Sequence, residues 1–350
     1  MIKKCLRLIL LILIVVFWFS ILPGYGSASP ATPVKNLVLR YGHVGPFDQV
    51  MHKASVVFKK YVDEQTKGAI EIQIFPMSQL GGERTIFDSI LTGTVDMGAI
   101  GAPIQSTVIK EFNVFCLPFV AINEDVLWDI ARSKEFRDRF FPIIRAKGIE
   151  PIGFCNITQR GLLNKRRRII KVADMKGLNI RVMEGSIYTD MYNAMGSFPR
   201  TMPFPEVYTG LQQGVIEAID SGIDMAARMK FVEVAKFYTK LNQTIQIQVL
   251  IVAKASWDKL TNDQRHIFSK ANEAMELFSQ EEFKKDYLDT VKYVKDRYGV
   301  EFIEELTPED RETFRKAVEP VITKYRKAIG EEFCDSYIDL IHKYEKKYKK

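Results

Sequence analysis

Arg181 is the residue whose type and placement point most directly to chemistry. In residues 178–183, Asn179 and Arg181 alternate with Ile180 and Val182, the pattern of a strand whose two polar side chains share one face. A guanidinium offers two parallel donors that match a carboxylate, and it stays charged at physiological pH. From the residues alone, Arg181 is either a surface or ion-pairing arginine or the anchor for an organic acid.

The residues that would indicate an enzyme are missing from the sequence. Residues 80–83 lack the Lys-Ser/Thr ending of a phosphate loop, residues 98–101 do not complete a dinucleotide fingerprint, and no nucleophile elbow is present. None of the histidines has metal-ligand spacing; they are His43, His52, His266 and His342. The sequence therefore predicts a protein without catalytic activity, metal or cofactor.

The elements around Arg181 belong to an α/β pattern. After the Arg181 strand, Phe204 leads into a helix with Pro205 in its first turn, Gly214 ends that helix, and a strand is predicted over residues 215–219. Asp220, Ser221 and Gly222 follow at its carboxyl end, where ligands bind in open α/β sheets. A second unit, ILTGTVDMGAIG, has the same plan as LQQGVIEAIDSG, which suggests two lobes facing a cleft.

The remaining chain predicts alternating strands and helices, and hence a mainly parallel sheet. Helices are expected over residues 125–147 and 225–237, and a long strand over residues 244–253. A capping box at Thr261 begins a long helix that should end at Gly299. A short strand and a helix starting at Thr307-Pro308 complete the prediction.

The amino terminus has the pattern of a secretion signal. Lys3, Lys4 and Arg7 precede an apolar run over residues 8–22 and then a set of small residues, so residues 1–28 are predicted to be removed on export. An uncleaved membrane anchor is the alternative. Removal leaves a net charge of +4, from +7 less three, and with only isolated basic runs this does not indicate a nucleic-acid partner.

Three cysteines remain after the signal: Cys116, Cys155 and Cys334. They are far apart in sequence and their number is odd, so at most one bridge can form within the chain. Buried free thiols are the better prediction.

Residues 178–222 resemble the signature region of the solute-binding proteins of tripartite ATP-independent periplasmic (TRAP) transporters, the DctP-like family. The family pattern reads approximately GLKIRVM and then PMPFSEVYTALQTGVVDGQEN, and this chain has GLNIRVM and TMPFPEVYTGLQQGVIEAIDS. The match continues through LRYGHV, FPMSQLGGER and CLPF upstream and TPEDRETFRKAVEPVITKYRKAIGEE downstream. It covers nearly the whole chain after the signal.

This resemblance implies an α/β, two-lobed, periplasmic-binding-protein-like fold with an interlobe cleft and a long helix spanning both lobes. Lobe I is predicted from residues 29–156 and 247–285, and lobe II from residues 157–246 and 286–350. The implied function is capture of a small organic acid in the periplasm by cleft closure, and its delivery to a secondary permease with a small and a large integral membrane subunit. A receptor module for a sensor kinase is the alternative.

The resemblance also assigns roles in lobe II. Arg181 would anchor the ligand carboxylate, as the arginine of the family's IRV motif does. Arg160 corresponds to a second family arginine, although the register there can shift by one. Phe204 would pack on the ligand or fill the core. Asp220 stands at the glutamate position and Ser221 at the asparagine position of the family's more usual QEN, which puts the polar contacts to the ligand in question.

In lobe I, Glu83 and His43 are candidate contacts, and each has a structural alternative; an acid at a helix amino terminus is favoured by the helix dipole. Gly101 and Ile104 stand where sialic-acid binders of the family carry a glutamate and an arginine, which favours a smaller or more apolar carboxylate. Dicarboxylates, 2-oxo acids, hydroxy acids and aromatic acids all remain open.

Overall fold

The computed structural model describes residues 36–121 and 123–348; the predicted secretion signal lies outside the described residues. Apart from Asn36, the described residues belong to one compact unit, Leu37–Lys350. The strands are β1 Leu37–Gly42, β2 Ile70–Phe75, β3 Met97–Gly101, β4 Ile149–Gln159, β5 Gly161–Asn164, β6 Asn179–Val182, β7 Phe198–Thr201, β8 Ala218–Ser221, β9 Phe237–Thr239, β10 Ile245–Ala253 and β11 Glu301–Ile303.

Helices connect these strands and form most of the last third of the chain. They are α1 Val50–Thr66, α2 Glu83–Leu91, α3 Ala102–Gln105, α4 Glu124–Arg132, α5 Lys134–Arg145, α6 Ser186–Ala194, α7 Val207–Gln213, α8 Ile223–Arg228, α9 Phe231–Val234, α10 Lys254–Trp257, α11 Asn262–Tyr298, α12 Pro308–Ile329 and α13 Glu331–Glu345. Three short 3₁₀ helices lie at Lys110–Cys116, Val172–Met175 and Phe204–Glu206.

The strands form two sheets, which confirms the predicted α/β class. The first sheet has the order β2-β1-β3-β10-β4 and the second has the order β11-β9-β5-β8-β6-β7. Both sheets are mixed rather than mainly parallel: β10 runs antiparallel to β3 and β4, and β5 runs antiparallel to β8 and β9. The prediction of a mainly parallel sheet fails because one strand in each sheet, β10 in the first and β5 in the second, runs antiparallel to both of its neighbours.

The repeated units seen in the sequence occupy equivalent positions in the two sheets. β3 has a parallel neighbour, β1, and an antiparallel neighbour, β10. β8 likewise lies between parallel β6 and antiparallel β5. The glycine before each strand, Gly93 and Gly214, has a positive φ, 76° and 78° respectively, the conformation that ends a helix without steric cost.

Helix α11 is the predicted long helix. Thr261 caps it in a reciprocal capping box with Gln264, and Gly299 ends it in the left-handed conformation, with φ 63°. It packs against α1 and β4 beside the first sheet and, further along, against α8. The helix thus contacts elements associated with both sheets.

Two predicted helices are shorter in the structure than the sequence pattern indicates. Residues 125–147 form α4 and α5, because Ser133 is extended and its side chain accepts from the Phe136 backbone N–H to cap the second helix. Residues 225–237 form α8 and α9 and then enter β9, because Lys230 adopts a positive φ of 60° that ends the helical run.

The buried apolar residues form three clusters. The largest contains residues from both sheets, including Phe154 on β4, Val249 on β10 and Ile180 on β6. The second packs α1 and α11 on the first sheet, and the third packs α7, α8 and α9 on the second. The strands that carry the polar residues described below are therefore also anchored by apolar side chains packed in these clusters.

Cys116, Cys155 and Cys334 are buried and free, as predicted. Over residues 36–121 and 123–348, no helix has both the length and the hydropathy needed to cross a membrane.

Candidate functional site

A cavity of about 210 Å³ lies between elements of the two sheets. Its wall includes the amino-terminal turn of α2, the facing residues of β4 and β10, the end of β8, and the segment that follows β6. Its polar and charged lining residues are Gln49, Glu83, Arg84, Thr85, Asn156, Thr158, Arg160, Arg181, Glu184, Asp220, Ser221, Asp224, Gln246 and Gln248. The space suits a ligand much larger than a water molecule, whose share of liquid volume is about 30 Å³.

Arg181 lies on β6 with its guanidinium in the cavity wall. The residue is 5% exposed, and its Nε and Nη2 both donate to the Met202 carbonyl oxygen, at 3.0 and 2.9 Å. The guanidinium carbon lies 5.6 Å from the centre of the half-buried Phe204 ring, a cation–π contact. Among the described residues no carboxylate forms an ion pair with Arg181, so its positive charge has no salt-bridge partner.

The environment of Arg181 disfavours its charge. Burial, and then the like charge of Arg160, lower the pKa of Arg181 to about 10, although Glu83 and Asp220 act in the opposite direction. The guanidinium remains charged at neutral pH, but it is less well stabilised than in water. An anion placed beside it would relieve this penalty.

Arg160 lies between β4 and β5, where the chain passes from the first sheet to the second. Its Nε donates to Asp220 Oδ1 at 2.7 Å, its Nη2 donates to the Asp220 carbonyl oxygen at 2.6 Å, and its Nη1 donates to Gln246 Oε1. Burial alone would lower the pKa of Arg160, but Asp220, followed by Tyr188, raises it above the usual value. The Arg160 charge is therefore neutralised within the protein.

Asp220 and Ser221 lie inside β8 and not after it, because their backbones pair with Leu162 and Gly161 of β5. The observed strand therefore begins later in the sequence than the predicted strand over residues 215–219: it starts at Ala218 and ends at Ser221. Both residues line the cavity.

Glu83 begins α2 and contacts a short chain of amide groups. Its Oε1 accepts from Gln248 Nε2 at 2.6 Å, and Gln248 Oε1 in turn accepts from Asn156 Nδ2 at 2.6 Å. Burial raises the pKa of Glu83 to about 7, while the bond from Gln248 and the charges of Arg181 and Arg160 act against the rise. Glu83 is therefore a carboxyl group that titrates near neutral pH.

The amide chain follows directly from the sheet register. Asn156 on β4 is opposite Gln248 on β10, and Gln248 is opposite Gly101 on β3. A Cβ atom on Gly101 would lie 2.9 Å from Gln246 Nε2 and 3.1 Å from Glu83 Oε2. Glycine at this position leaves room for the side chains that line the cavity.

Gln49 and Asp224 line the cavity from two different parts of the fold. Gln49 precedes α1, Asp224 lies in α8, and the Gln49 Nε2 donates to Asp224 Oδ2 at 2.9 Å. Arg228, also in α8, pairs with Asp48 at 3.3 Å and with Asp286 of α11 at 2.5 Å. These contacts join the start of α1 to α8.

His43 is not a lining residue of the cavity. It is buried, its Nδ1 accepts from the Gly45 N–H at 3.2 Å, and its Nε2 lies 3.1 Å from His52 Nδ1. Burial, and then His52, lower the pKa of His43 to about 3. These contacts support the structural alternative for His43, holding the turn that leads to α1.

The structure thus brings six of the seven predicted site residues to one cavity: Arg181, Arg160, Phe204, Asp220, Ser221 and Glu83. The sequence prediction missed nine polar or charged lining residues: Arg84, Thr85, Thr158, Glu184, Gln49, Asn156, Asp224, Gln246 and Gln248. A signal existed for the last two, since glutamines alternate with apolar residues in β10. In the described part of the chain, no group of three or more His, Cys, Asp or Glu side chains is arranged to hold a metal ion.

Comparison with known proteins identifies the family. Residues 41–328 match the family model DctP, described as bacterial extracellular solute-binding protein, family 7. The chain belongs to this family. As the sequence motifs predicted, it is an extracytoplasmic solute-binding protein of the TRAP class.

Individual relatives are similar over most of their length. The C4-dicarboxylate-binding periplasmic protein DctP of Rhodobacter capsulatus is 26% identical over 297 residues, 85% of this chain and 88% of the relative. A TRAP periplasmic solute-binding protein from Polaromonas sp. JS666, bound to D-erythronate, superposes with a TM-score of 0.82 at 26% identity, covering 87% of this chain and 98% of the other. The sugar acid binding protein DctPAm from Advenella mimigardefordensis strain DPN7T, in complex with galactonate, gives 0.84 at 25% identity, covering 89% and 99%.

Proposed function

We propose that the cavity binds a small organic acid whose carboxylate pairs with Arg181. The observation that carries this proposal is a buried guanidinium that lines the cavity and has no carboxylate partner among the described residues. Leaving a buried charge unpaired is unfavourable, and a planar carboxylate satisfies a guanidinium with two parallel hydrogen bonds. Phe204 beside Arg181 would hold the guanidinium plane in position for the ligand.

The other predicted residues have separate roles in this proposal. Arg160 holds the side chains of Asp220 and Gln246 in place by hydrogen bonds. Its charge is paired with the Asp220 carboxylate and would not be available to the ligand. Glu83 at the start of α2 and Ser221 on β8 of the second sheet supply further polar groups to the cavity. Acids bound by relatives support the ligand class: D-erythronate, galactonate and, by name, C4-dicarboxylates.

We further propose that binding is coupled to closure of two lobes, residues 29–156 with 247–285 and residues 157–246 with 286–350. A ligand that contacts both walls of a cleft favours the closed form by its differential affinity. The bonds from Gln49 to Asp224 and from Asp48 to Arg228 join these two proposed lobes, and they would support the closed form. The closed protein would deliver the acid, unchanged and without a catalytic step, to a small and a large membrane permease subunit, after export by the predicted signal in residues 1–28.

The test is acid binding by matched arginine variants. Arg200 on β7 is the register neighbour of Arg181 but is exposed, which makes Arg200→Met a control for Arg181→Met. A ligand at about a thousand times its dissociation constant adds roughly 4 kcal/mol to stability, so thermal shift can screen D-erythronate, galactonate and succinate before calorimetry. We expect Arg181→Met to raise the dissociation constant of the most tightly bound acid by about 100-fold or more. We expect Arg200→Met to leave that dissociation constant unchanged. Equal binding by Arg181→Met and wild type would refute the anchor assignment.

A further inference from the structure

Two histidines flank the segment that connects β1 to α1. His43 follows β1, His52 lies in the first turn of α1, and His43 Nε2 is 3.1 Å from His52 Nδ1. Residues 45–49 lie between the two histidines in the chain and are called the clasp. At the end of the clasp, the side chains of Asp48 and Gln49 both contact α8. The histidine pair therefore lies at the base of the contacts that join the two proposed lobes.

The hydrogen bonds of the pair fix which ring nitrogens carry protons. A backbone N–H only donates, so the Gly45 N–H, at 3.2 Å, makes His43 Nδ1 an acceptor and leaves the proton of neutral His43 on Nε2. This proton is donated to His52 Nδ1, so neutral His52 carries its own proton on Nε2. The arrangement therefore requires both rings to be neutral.

A proton on His52 Nδ1 is incompatible with this arrangement. Two N–H groups would then face each other across 3.1 Å. His43 can accept from the new N–H only by moving its own proton to Nδ1, where that proton would oppose the Gly45 N–H. Because His43 is fully buried, it cannot replace a lost partner with bulk water. Protonation of His52 therefore breaks either the contact within the pair or the contact between the pair and the clasp.

A movement of Gly45 would reach α8 through direct packing. A Cβ atom added to Gly45 would overlap Gln49 Oε1 and lie 2.5 Å from Met51 Cε, so the Gly45 backbone is in close contact with the Gln49 side chain. The Nε2 of the same side chain donates to Asp224 of α8 at 2.9 Å. Displacement of Gly45 therefore displaces the group that bonds to α8.

The surroundings of the pair favour neutral rings. Burial lowers the pKa of His52, which is half-buried, and burial followed by His52 lowers the pKa of His43 to about 3. In the described part of the chain, neither ring has a hydrogen bond or an ion pair with a carboxylate. The nearby titratable groups on adjoining elements have other partners: Asp48 pairs with Arg228 of α8, Lys53 of α1 pairs with Glu282 of α11, Asp224 accepts from Gln49, and the hydroxyl of Tyr41, whose ring packs edge-on against His43, accepts from Ser55.

We infer that the His43–His52 pair makes acid binding sensitive to pH, because a proton on His52 displaces the clasp, weakens its contacts with α8 and favours the open form. This inference rests on the proposed function, since it concerns closure around the bound acid. The closed form excludes the proton, so the proton and the bound acid oppose each other to the same extent. Affinity is therefore greatest above the usual histidine pKa of 6.5 and falls as the pH decreases below it.

Calorimetric titration of D-erythronate and galactonate at about pH 7.5 and about pH 5.5 tests the inference. His52→Gln keeps an acceptor for His43 Nε2 but cannot be protonated. Glu83, whose pKa is about 7, also affects acid binding in this range, and comparison with His52→Gln cancels its contribution. We expect the dissociation constant of wild type, divided by that of His52→Gln, to rise by about three- to tenfold on acidification, since a group with a pKa of 6.5 in the open form alone gives about tenfold.

Two further variants connect the effect to the proposed proton. His52→Lys places a donor beside His43 at every pH, and we expect it to bind the acid about tenfold more weakly than His52→Gln at both pH values. His266→Gln changes an exposed histidine of α11 and should behave as wild type. Thermal unfolding shows whether the variants fold; if His52→Lys does not, the ratio of wild type to His52→Gln still decides.

A second measurement needs no ligand. In isotopically labelled protein without acid, the backbone amide signals of Gly45 and Gln49 should shift with the same titration midpoint as the ring signals of His52. Amide signals that stay constant while the His52 ring titrates would overturn the inference.

The outcomes separate the inference from the proposed function. A ratio that does not change with pH, together with loss of binding in Arg181→Met, overturns the inference and supports the acid site. An equal change in His266→Gln and His52→Gln, relative to wild type, also overturns it. If neither of the two acids nor succinate binds, the proposed function fails, and the amide signals of Gly45 and Gln49 alone support or overturn a clasp that responds to the proton.

Discussion

Arg160 and Arg181 line the same cavity and are buried to the same degree, yet their surroundings have opposite effects on their charges. Arg160 is paired with Asp220, and its pKa lies above the usual value in spite of burial. Within residues 36–121 and 123–348, Arg181 donates only to a backbone carbonyl, and burial together with Arg160 lowers its pKa to about 10. One arginine is part of the folded framework, and the other is held with its charge unpaired.

This difference shows why burial alone does not identify a binding residue. A buried cation with a carboxylate and further acceptors has already exchanged its water for protein groups. A buried cation that contacts only a carbonyl group has lost more stabilisation from water than the protein restores. Such a residue is a candidate for ligand binding. The comparison predicts that loss of Arg160 affects stability and loss of Arg181 affects binding.

The largest effect is expected for Arg160→Met. The substitution leaves the Asp220 carboxylate buried without its cation, which should lower the free energy of unfolding by about 3–5 kcal/mol. Denaturant titration measures this loss. The double variant Arg160→Met/Asp220→Leu removes both charges, and we expect it to recover at least half of the lost stability. A single variant within about 1 kcal/mol of wild type would show that the pair is not structural.

The next effect concerns Glu83 and pH. Its pKa is raised in the folded protein, from a usual value of 4.5 to about 7, so between these values the folded state holds a proton that the unfolded state has lost. Stability contributed by protonated Glu83 is therefore present below about pH 4.5 and is lost as the pH rises toward about 7. Glu83→Gln should be more stable than wild type above pH 7, by about 1–3 kcal/mol, with the difference vanishing at acid pH.

Unfolding curves collected across this pH range test the Glu83 prediction. Glu184→Gln is a suitable control, because Glu184 also lines the cavity but has less burial. A difference between Glu83→Gln and wild type that does not change with pH would contradict the assigned titration.

A smaller effect is expected where the first sheet meets the cavity, at Gly101. Its backbone, with φ −67° and ψ 144°, accepts any residue, but an added Cβ would lie 3.1 Å from both Glu83 Oε2 and Met183 Cε, as well as close to Gln246. Gly101→Ala should weaken acid binding by about tenfold, because these side chains must move into the ligand space. At Gly82, which also lines the cavity, the nearest atom to an added Cβ is at 3.9 Å, so Gly82→Ala should change the affinity by less than about threefold. Equal effects of the two substitutions would contradict this explanation.

The sequence indicated Arg181 because the alternation around it is a local property. A polar residue between Ile180 and Val182 in a short strand must point to the opposite face from them, whatever the strand pairs with. The helix limits at Thr261 and Gly299 were predictable for the same reason, since capping depends on neighbouring residues.

Residues whose roles depend on strand register could not be found in this way. Arg160 meets Asp220 because β5 pairs with β8, and Asn156 meets Gln248 because β4 pairs with β10. These partners are 60 and 92 residues apart in the chain. A shift of one residue in either pairing would turn the side chains to the other face, so the sequence alone could not separate the paired arginine from the unpaired one.

The smallest expected effect gives the sharpest test of the comparison. In ligand-free protein, Arg181→Met removes a buried charge that is poorly stabilised, which should increase the stability of the fold. The same substitution removes two hydrogen bonds to Met202 and the packing on Phe204, which should decrease it. We expect the free energy of unfolding to stay within about 1 kcal/mol of wild type, although acid binding is lost. Denaturant titration beside Arg160→Met checks this expectation under one set of conditions. A loss of several kcal/mol for Arg181→Met would mean that both arginines support the fold, and the distinction between a framework arginine and a ligand-binding arginine would have to be given up.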